Sequence, residues 1–239
     1  KTFKLLKPNL DVAVGLDSRF YKFHRSQKYE KIKELNHHFI VSPFIKKFKI
    51  LDNSLFLKFV KMKKNSISRI KFQKIKNLTH LKKINIDNLF KHQLPTKSKD
   101  YLINRYLKHP IYKYDIYAVY EKSIISLCVF RILNYKNTNI IRFVDYVGSN
   151  NSFALLKNFF VEILKKYNAE YLDFHSFGIP LNILKKSGLI EKKLKMIIPN
   201  YFEPFVNENV DISVGYRRYN ANGNVRIFKG DGDQDRPSI

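Results

Sequence analysis

The sequence has little of several residue types, and each shortage excludes a class of protein. The 239 residues include one cysteine, Cys128, and no tryptophan. A single cysteine excludes an internal disulfide and a zinc site built on several thiolates, and it fits a reducing cytoplasm. Because Cys128 lies in an apolar run over residues 124–132, we interpret it as a buried hydrophobic side chain rather than a nucleophile. No apolar run approaches the roughly 18 residues of a membrane-spanning helix, and no secretory signal opens the chain. We expect a cytoplasmic protein.

Acidic residues are also scarce. The chain has 45 Lys and Arg against 20 Asp and Glu, a net charge of +25, and residues 1–95 carry +17 of it. Such a basic protein can bind a nucleic acid or an anionic surface. The alternative is a Lys-rich composition typical of AT-rich genomes, with lysines on solvated faces. No helix-turn-helix, zinc-finger or RNA-recognition signature is present, so nucleic-acid binding is the lesser hypothesis. Whether the Lys-rich first third binds a polyanion stays open.

Residues 139–199 contain the most regular pattern of the chain. Hydrophobic residues make up 44% of the sequence, which is ordinary for a folded domain. The pattern predicts strand, loop, helix, strand, helix and strand, at 140–147, 148–151, 153–167, 171–174, 180–188 and 194–198. Alternation of strands and helices at this length predicts an α/β fold with helices packed on a mixed sheet.

Residues 10–41 and 170–201 share one plan of strand, polar cap, helix and strand. An offset of 160 residues aligns them, although few residues are identical. The repeat predicts two related lobes. We place a partial first lobe and a connector in residues 1–95, and a second lobe with an acidic tail in residues 96–239. Pro95 and the polar residues after it mark the boundary.

The repeated plan resembles the second half of the GNAT fold, that of the acyl-CoA N-acyltransferases. The positions that carry the resemblance are Phe177, Pro180, Leu184, Gly188 and Leu189 in the second lobe, and Asp17, Phe20, His24, Lys28 and Tyr29 in the first. Neither lobe has the family's usual Tyr, the acid for the leaving thiolate; His24 is a chemical substitute, and Leu184 is not. Residues 100–236 also resemble proteins of surface-polysaccharide gene clusters. The resemblance implies one complete GNAT-like lobe preceded by the C-terminal half of another.

In GNAT enzymes a loop at a helix N-terminus binds the pyrophosphate of coenzyme A through backbone N–H groups. The resemblance assigns this cofactor role to Gly148, Ser149, Asn150 and Asn151, with acyl-CoA or acetyl-CoA as the donor. The loop has one glycine, and the acid Asp145 stands where a cation is usual. The corresponding loop of the first lobe would precede Lys1. We therefore expect a fragment or split version that lacks activity alone, with the missing N-terminal half-lobe as a partner.

Two residues are candidate catalysts for N-acyl transfer, which needs a base for the amine. Asp145 lies on the strand whose GNAT counterpart carries the base, and its apolar neighbours would raise its pKa. The alternative is a structural carboxylate paired with Arg142 or a backbone N–H. His175 follows at the end of the next strand, where α/β sheets place chemistry, and Asp173 is positioned to orient it. A structural histidine is equally compatible with the sequence.

The C-terminal tail supplies the candidate substrate-binding residues, which are Asp231, Asp233, Asp235 and Arg236. These side chains suit sugar hydroxyls, an amino group or a phosphate; the alternative is a solvated terminus. We expect no metal site, because His37 and His38 are adjacent rather than four apart.

Together these observations predict an acyltransferase-like protein, an enzyme if it is active alone, that acylates the amino group of an amino sugar or sugar nucleotide in surface-glycan biosynthesis. A non-catalytic substrate-binding or partner lobe is the alternative.

Overall fold

The computed structural model describes residues 9–60, 70–89, 93–220, 222–232 and 234. In these ranges the chain forms seven α-helices and 15 strands, and the predicted α/β class with a mixed sheet is confirmed. No described helix is both long and apolar enough to cross a membrane.

The strands are mostly short, apart from two long ones in the middle of the chain. They are β1 Leu10–Val14, β2 Lys31–Glu34, β3 Asn36–Val41, β4 Lys71–Lys74, β5 Gln93–Leu94, β6 Asp115–Tyr120, β7 Ile124–Tyr135, β8 Thr138–Gly148, β9 Ala169–Phe177, β10 Ile190–Glu191, β11 Tyr201–Phe202, β12 Phe205–Val206, β13 Ser213–Arg218, β14 Asn224–Val225 and β15 Ile227–Phe228.

The helices are short as well. They are α1 Tyr21–Ser26, α2 Asn53–Phe56, α3 Leu78–Lys82, α4 Lys99–Leu102, α5 Asn150–Ala154, α6 Lys157–Lys166 and α7 Leu181–Lys186. Single turns of 3-10 helix occur at Ser18–Phe20, Leu57–Phe59, Asp87–Leu89 and Lys229–Asp231. One turn of π-helix occurs at Ile103–Leu107.

Eight strands form the main sheet, in the order β10-β3-β9-β8-β7-β6-β4 with β15 paired to the end of β9. Neighbouring strands are antiparallel except β8 and β9, which are parallel and are joined by α5 and α6. Such a connection needs a crossover helix. The buried face of α6 includes Phe159, Phe160, Ile163 and Leu164, which are the apolar residues spaced for one helix face. They pack with Phe143 of β8 and Phe174 of β9 in the largest apolar cluster.

Two predicted elements differ from the structure. The helix predicted over 153–167 is divided into α5, which already begins at Asn150 inside the predicted loop, and α6, with a turn at 155–156 between them. The strand predicted over 194–198 is wrong. Residues 194–198 are not a strand; the chain turns at 193–196, and the short strand β10 precedes that turn. The apolar residues of this segment suggested a buried strand, yet the side chain of Leu194 is 99% exposed. The sequence shows that these residues are hydrophobic, but it does not show whether each side chain is buried in the core or exposed to solvent.

Strands from both sides of residue 95 share one sheet. β3 lies between β9 and β10, and both of these pair with it in antiparallel fashion. A second, three-stranded sheet has the order β1-β13-β2, so β13 lies between β1 and β2 in the same manner. Helix α1 and helix α7 are 160 residues apart at both ends, and Lys28 and Gly188 at the same offset both have positive φ, 63° and 82°. In the first copy, β13 from the second half of the chain lies between β1 and β2. In the second copy, β3 from the first half lies between β9 and β10.

Candidate functional site

Asp145 is fully buried and all its contacts are internal. Its carboxylate is paired with the Lys97 ammonium, it accepts a hydrogen bond of 2.7 Å from Tyr106 Oη, and it accepts one of 2.8 Å from the Tyr146 N–H. The register of β7 and β8 shifts next to Val129, the residue opposite Asp145; such bulges redirect side chains. The backbone partner was expected, but the charged partner is Lys97 and not Arg142. The arrangement holds the carboxylate of Asp145 in place and offers no open face to a substrate.

Asp231 completes a cluster of two carboxylates around one ammonium. Its side chain is 4% exposed and lies 2.9 Å from Lys97 Nζ, and it accepts a hydrogen bond of 2.8 Å from the Phe228 N–H. Burial, together with the charge of Asp145, raises the pKa of Asp231 to about 6, although Lys97 opposes the shift. For Lys97, burial lowers the pKa, but attraction to Asp145 and Asp231 outweighs it and raises the pKa above its usual value.

His175 belongs to a second buried cluster. It is 1% exposed and lies directly opposite His37 of β3, and the two rings stack with centroids 3.9 Å apart. Its Nδ1 is 3.6 Å from an oxygen of Asp173, the residue expected to orient it. Burial lowers the pKa of both histidines well below the ordinary value, and Lys229 adds to the effect on each. Both rings are therefore neutral at physiological pH.

The side chain of Asn200 fixes the proton of His175. Its Oδ1 accepts from the Val210 N–H at 2.9 Å, and its Nδ2 donates to the Val210 carbonyl at 2.7 Å. These two bonds set the amide orientation, so Nδ2 faces His175 Nε2 at 3.2 Å as a donor. Nε2 is then the acceptor, and the ring proton is on Nδ1, toward Asp173.

His37, Asp173 and His175 offer three ligand-type atoms within 4.8 Å of one another, a set that sequence spacing did not indicate. The surroundings are unfavourable to a divalent cation. Arg142 Nε lies 3.8 Å and Lys229 Nζ 3.9 Å from Asp173, so two cations already surround one carboxylate. A divalent ion would add uncompensated positive charge in a low-dielectric site. The cluster is better described as a buried carboxylate balanced by basic side chains.

The predicted cofactor loop follows β8. Ser149 caps α5 by accepting the Ser152 N–H at 3.1 Å. A side chain at Gly148 would overlap Tyr146 Oη and Ser126, so this glycine makes room for protein packing. Beside the loop lies a cavity of about 300 Å³. Its lining residues are Asn88, Leu89, Glu121, Ile125, Ser149, Asn151, Ser152 and Leu155.

Residues 227–229 occupy the space between the two parallel strands beyond their last paired residues. β8 and β9 pair from Asn139 and Ala169 as far as Phe143 and Phe174. Beyond that point β15 pairs with β9 instead, and Phe228 stacks on Phe174 with centroids 5.7 Å apart.

The short segment 228–231 connects the two clusters. Lys229 is fully buried and reaches Asp173 and the carbonyl of Asn200, while Asp231 reaches Lys97. The structure therefore brings Asp145 and Asp231 together and places His175 in the other cluster. Asp233, Asp235 and Arg236 lie outside the described residues.

Sequence reasoning missed Lys97, Tyr106, His37 and Lys229. Lys97 was assigned to a domain boundary, and it is 48 residues from Asp145. The available signal was that a buried acid requires a cation, but that rule does not say which of many lysines supplies it.

No family model matches this sequence, and a search of curated proteins also gives no match. Solved structures show a distant likeness. A GCN5-related N-acetyltransferase from Anabaena variabilis is 10% identical with a TM-score of 0.45, over 91% of this chain and 47% of that one. A probable N-acyltransferase from Enterococcus faecalis is 12% identical with a TM-score of 0.49, over 89% and 46%. N-myristoyltransferase from Saccharomyces cerevisiae with bound myristoyl-CoA is 10% identical with a TM-score of 0.43, over 80% and 49%. The chain spans about half the length of each of these proteins.

Proposed function

We propose that this chain is an acyltransferase-like protein that serves N-acylation of an amino sugar or sugar nucleotide in the cytoplasmic assembly of a surface glycan. The observation that carries the proposal is the pair of parallel strands, β8 and β9, which part beyond Phe143 and Phe174 with a loop and a cavity at their carboxyl ends. α/β sheets bind ligands at such ends. The sequence resemblance to GNAT proteins supplies the reaction class and the acyl-CoA donor.

The described loop does not fit coenzyme A in full. Ser149, Asn151 and Ser152 offer polar contacts to one part of the molecule. However, among the described residues the cavity lining contains the acid Glu121 and no Lys or Arg, which disfavours a pyrophosphate there. The chain's own Phe228 and Lys229 fill the space between β8 and β9. We derive no catalytic step through the coenzyme at this site.

A second candidate is therefore a non-catalytic lobe that binds the acceptor or a partner lobe. It is favoured by the burial of Asp145 and His175, both of which have internal partners and no open face. On this proposal the two residues hold the fold, and the donor binds on a partner lobe.

Calorimetric titration separates the two candidates, with acetyl-CoA and with glucosamine as probes. An autonomous acyltransferase binds acetyl-CoA, and Asn151→Tyr, which places a ring in the cavity, abolishes that heat. Asn207→Tyr, at an exposed asparagine that is not among the described lining residues, is the matched control and leaves it unchanged. A non-catalytic lobe that binds the acceptor gives heat with glucosamine and none with acetyl-CoA. Heat with neither probe would count against the autonomous acyltransferase and against the acceptor-binding lobe.

A further inference from the structure

The turn that follows β10 ends in an exposed apolar tip. Met196 N–H donates to the Lys193 carbonyl at 2.9 Å and closes the turn. Leu194 at its apex is 99% exposed, and Ile197 just after it is 48% exposed. This is a position where chains usually carry Gly, Asn, Asp, Ser or Pro.

The turn is firmly attached at both ends. Lys192 N–H donates to the His37 carbonyl at 3.0 Å, before the apex. After it, Met196 is buried and its carbonyl accepts from Asn209 Nδ2 at 2.6 Å. Because these anchors do not involve Leu194, that side chain contributes little to the core. The exposed aliphatic surface of Leu194 is therefore free to contact a surface outside the folded chain.

Basic side chains surround the apolar apex. Lys193 and Lys195 flank Leu194 and are exposed, and Lys185 and Lys186 end helix α7 shortly before the turn. Lys192 is paired with Asp211. The apex therefore combines exposed aliphatic surface with exposed positive charge.

We propose that residues 193–197 form a membrane-contact tip, in which Leu194 and Ile197 enter the interface of an anionic lipid bilayer. The aliphatic side chains then reach the boundary between the lipid headgroups and the acyl chains, while Lys193 and Lys195 contact the lipid phosphates. Proteins that bind at the membrane interface have this arrangement. A nucleic acid would satisfy the lysines, but its bases stack on aromatic rings and gain little from Leu or Ile. The proposal is independent of the acyl-transfer function.

Attachment through one turn is weak and depends on salt. Each lysine near an anionic surface is worth about fivefold in partitioning, and screening reduces this as ionic strength rises. Replacing both Leu194 and Ile197 with Ser should lower partitioning about tenfold or more, because the transferred apolar area is lost.

The absence of tryptophan allows a direct test. The Leu194→Trp variant has a single indole at the apex, and Ile111→Trp is the matched control at another exposed apolar position, 66% exposed. With phosphatidylglycerol vesicles, the Leu194→Trp emission should shift to the blue and be quenched by brominated acyl chains. Neither effect should occur with phosphatidylcholine vesicles or in the Ile111→Trp control. Lys193→Glu with Lys195→Glu should reduce vesicle co-sedimentation of the otherwise unchanged chain more than tenfold.

Three results would overturn the proposal. One is an unshifted emission with both lipids. Another is the same blue shift with a single-stranded oligonucleotide, which would make the turn a nucleic-acid contact. The third is a blue shift in buffer that rises with protein concentration alongside a dimer in light scattering, which would make it a contact between copies.

Discussion

Burial raises the pKa of Asp231, and the uneven charge balance around Asp145 adds to the shift. Two buried carboxylates share one ammonium, Lys97. Asp145 also accepts two hydrogen bonds, from Tyr106 and from the Tyr146 N–H. Asp231 has a single backbone donor besides Lys97. With so few donors, Asp231 is poorly compensated for its burial, and its pKa rises.

This assignment predicts how stability depends on pH. The folded-state pKa of Asp231 is about 6, above the ordinary 3.8 expected in the unfolded chain. The folded protein holds this proton more tightly, so the stabilisation is complete below the unfolded pKa and is lost as pH rises through about 6. Asp231→Asn imitates the protonated form and retains an acceptor for the Phe228 N–H. Relative to that variant, the wild-type protein should lose on the order of 2 kcal/mol of unfolding free energy between pH 4 and pH 7.

Urea unfolding of both proteins at several pH values measures this difference, because the other titrating groups are common to both and cancel. Asp211→Asn is the control, since Asp211 is 59% exposed on its side chain and lies in an exposed ion pair. A wild-type minus Asp231→Asn difference that stays constant with pH, or rises with it, would show that Asp231 is ionised at little cost.

At the scale of elements, the placement of the last strands depends on one glycine. Gly178 follows β9 with φ of 87°, and a side chain on it would overlap the Val225 carbonyl oxygen next to β15. Gly188 has a similar φ of 82°, but a side chain there would meet only the flexible Lys157, at 3.0 Å from Cγ. Gly188→Ala should therefore cost about 1 kcal/mol, the strain of a positive φ. Gly178→Ala should cost roughly 2–4 kcal/mol, since backbone must also move.

Denaturant unfolding of the two variants compares these costs. Hydrogen exchange should additionally show faster exchange over residues 224–232 in Gly178→Ala and not in Gly188→Ala. Equal costs would mean that the segment with β15 is not held closely against the end of β9.

Sequence patterns predicted the helices whose spacing and end residues lie within one short segment of the chain. Helix α6 has an apolar face at helical spacing, and helix α7 lies between Pro180 and Gly188 as predicted. The strand predicted over 194–198 failed because the pattern shows apolar type and not burial. The partners of Asp145 were missed for a different reason. Lys97 and Asp231 are brought to it by strand order and by the path of the C-terminal segment, neither of which a local pattern encodes.

At the scale of the whole molecule, the exchange of β3 and β13 determines how the chain unfolds. β3 lies between β9 and β10, and β13 lies between β1 and β2, so each half of the chain completes a sheet of the other. Unfolding residues before the boundary at 95 would remove β3, one of the strands that pair with β9, and expose the apolar side chains of Phe174 and Leu172. Neither half can lose its structure without exposing core of the other. We therefore expect one cooperative transition rather than two.

Urea unfolding can test this with one probe in each half. Far-UV circular dichroism reports the whole chain, while single tryptophans at Phe23 and at Ile111, both exposed, report the two sides of residue 95. All three signals should give the same midpoint within error and one slope that fits the full chain length. Separate midpoints for Phe23→Trp and Ile111→Trp would mean that the halves fold as independent lobes. The strand exchange argues against that outcome, because an independent first lobe would have to leave β9 without β3 and open its edge to water.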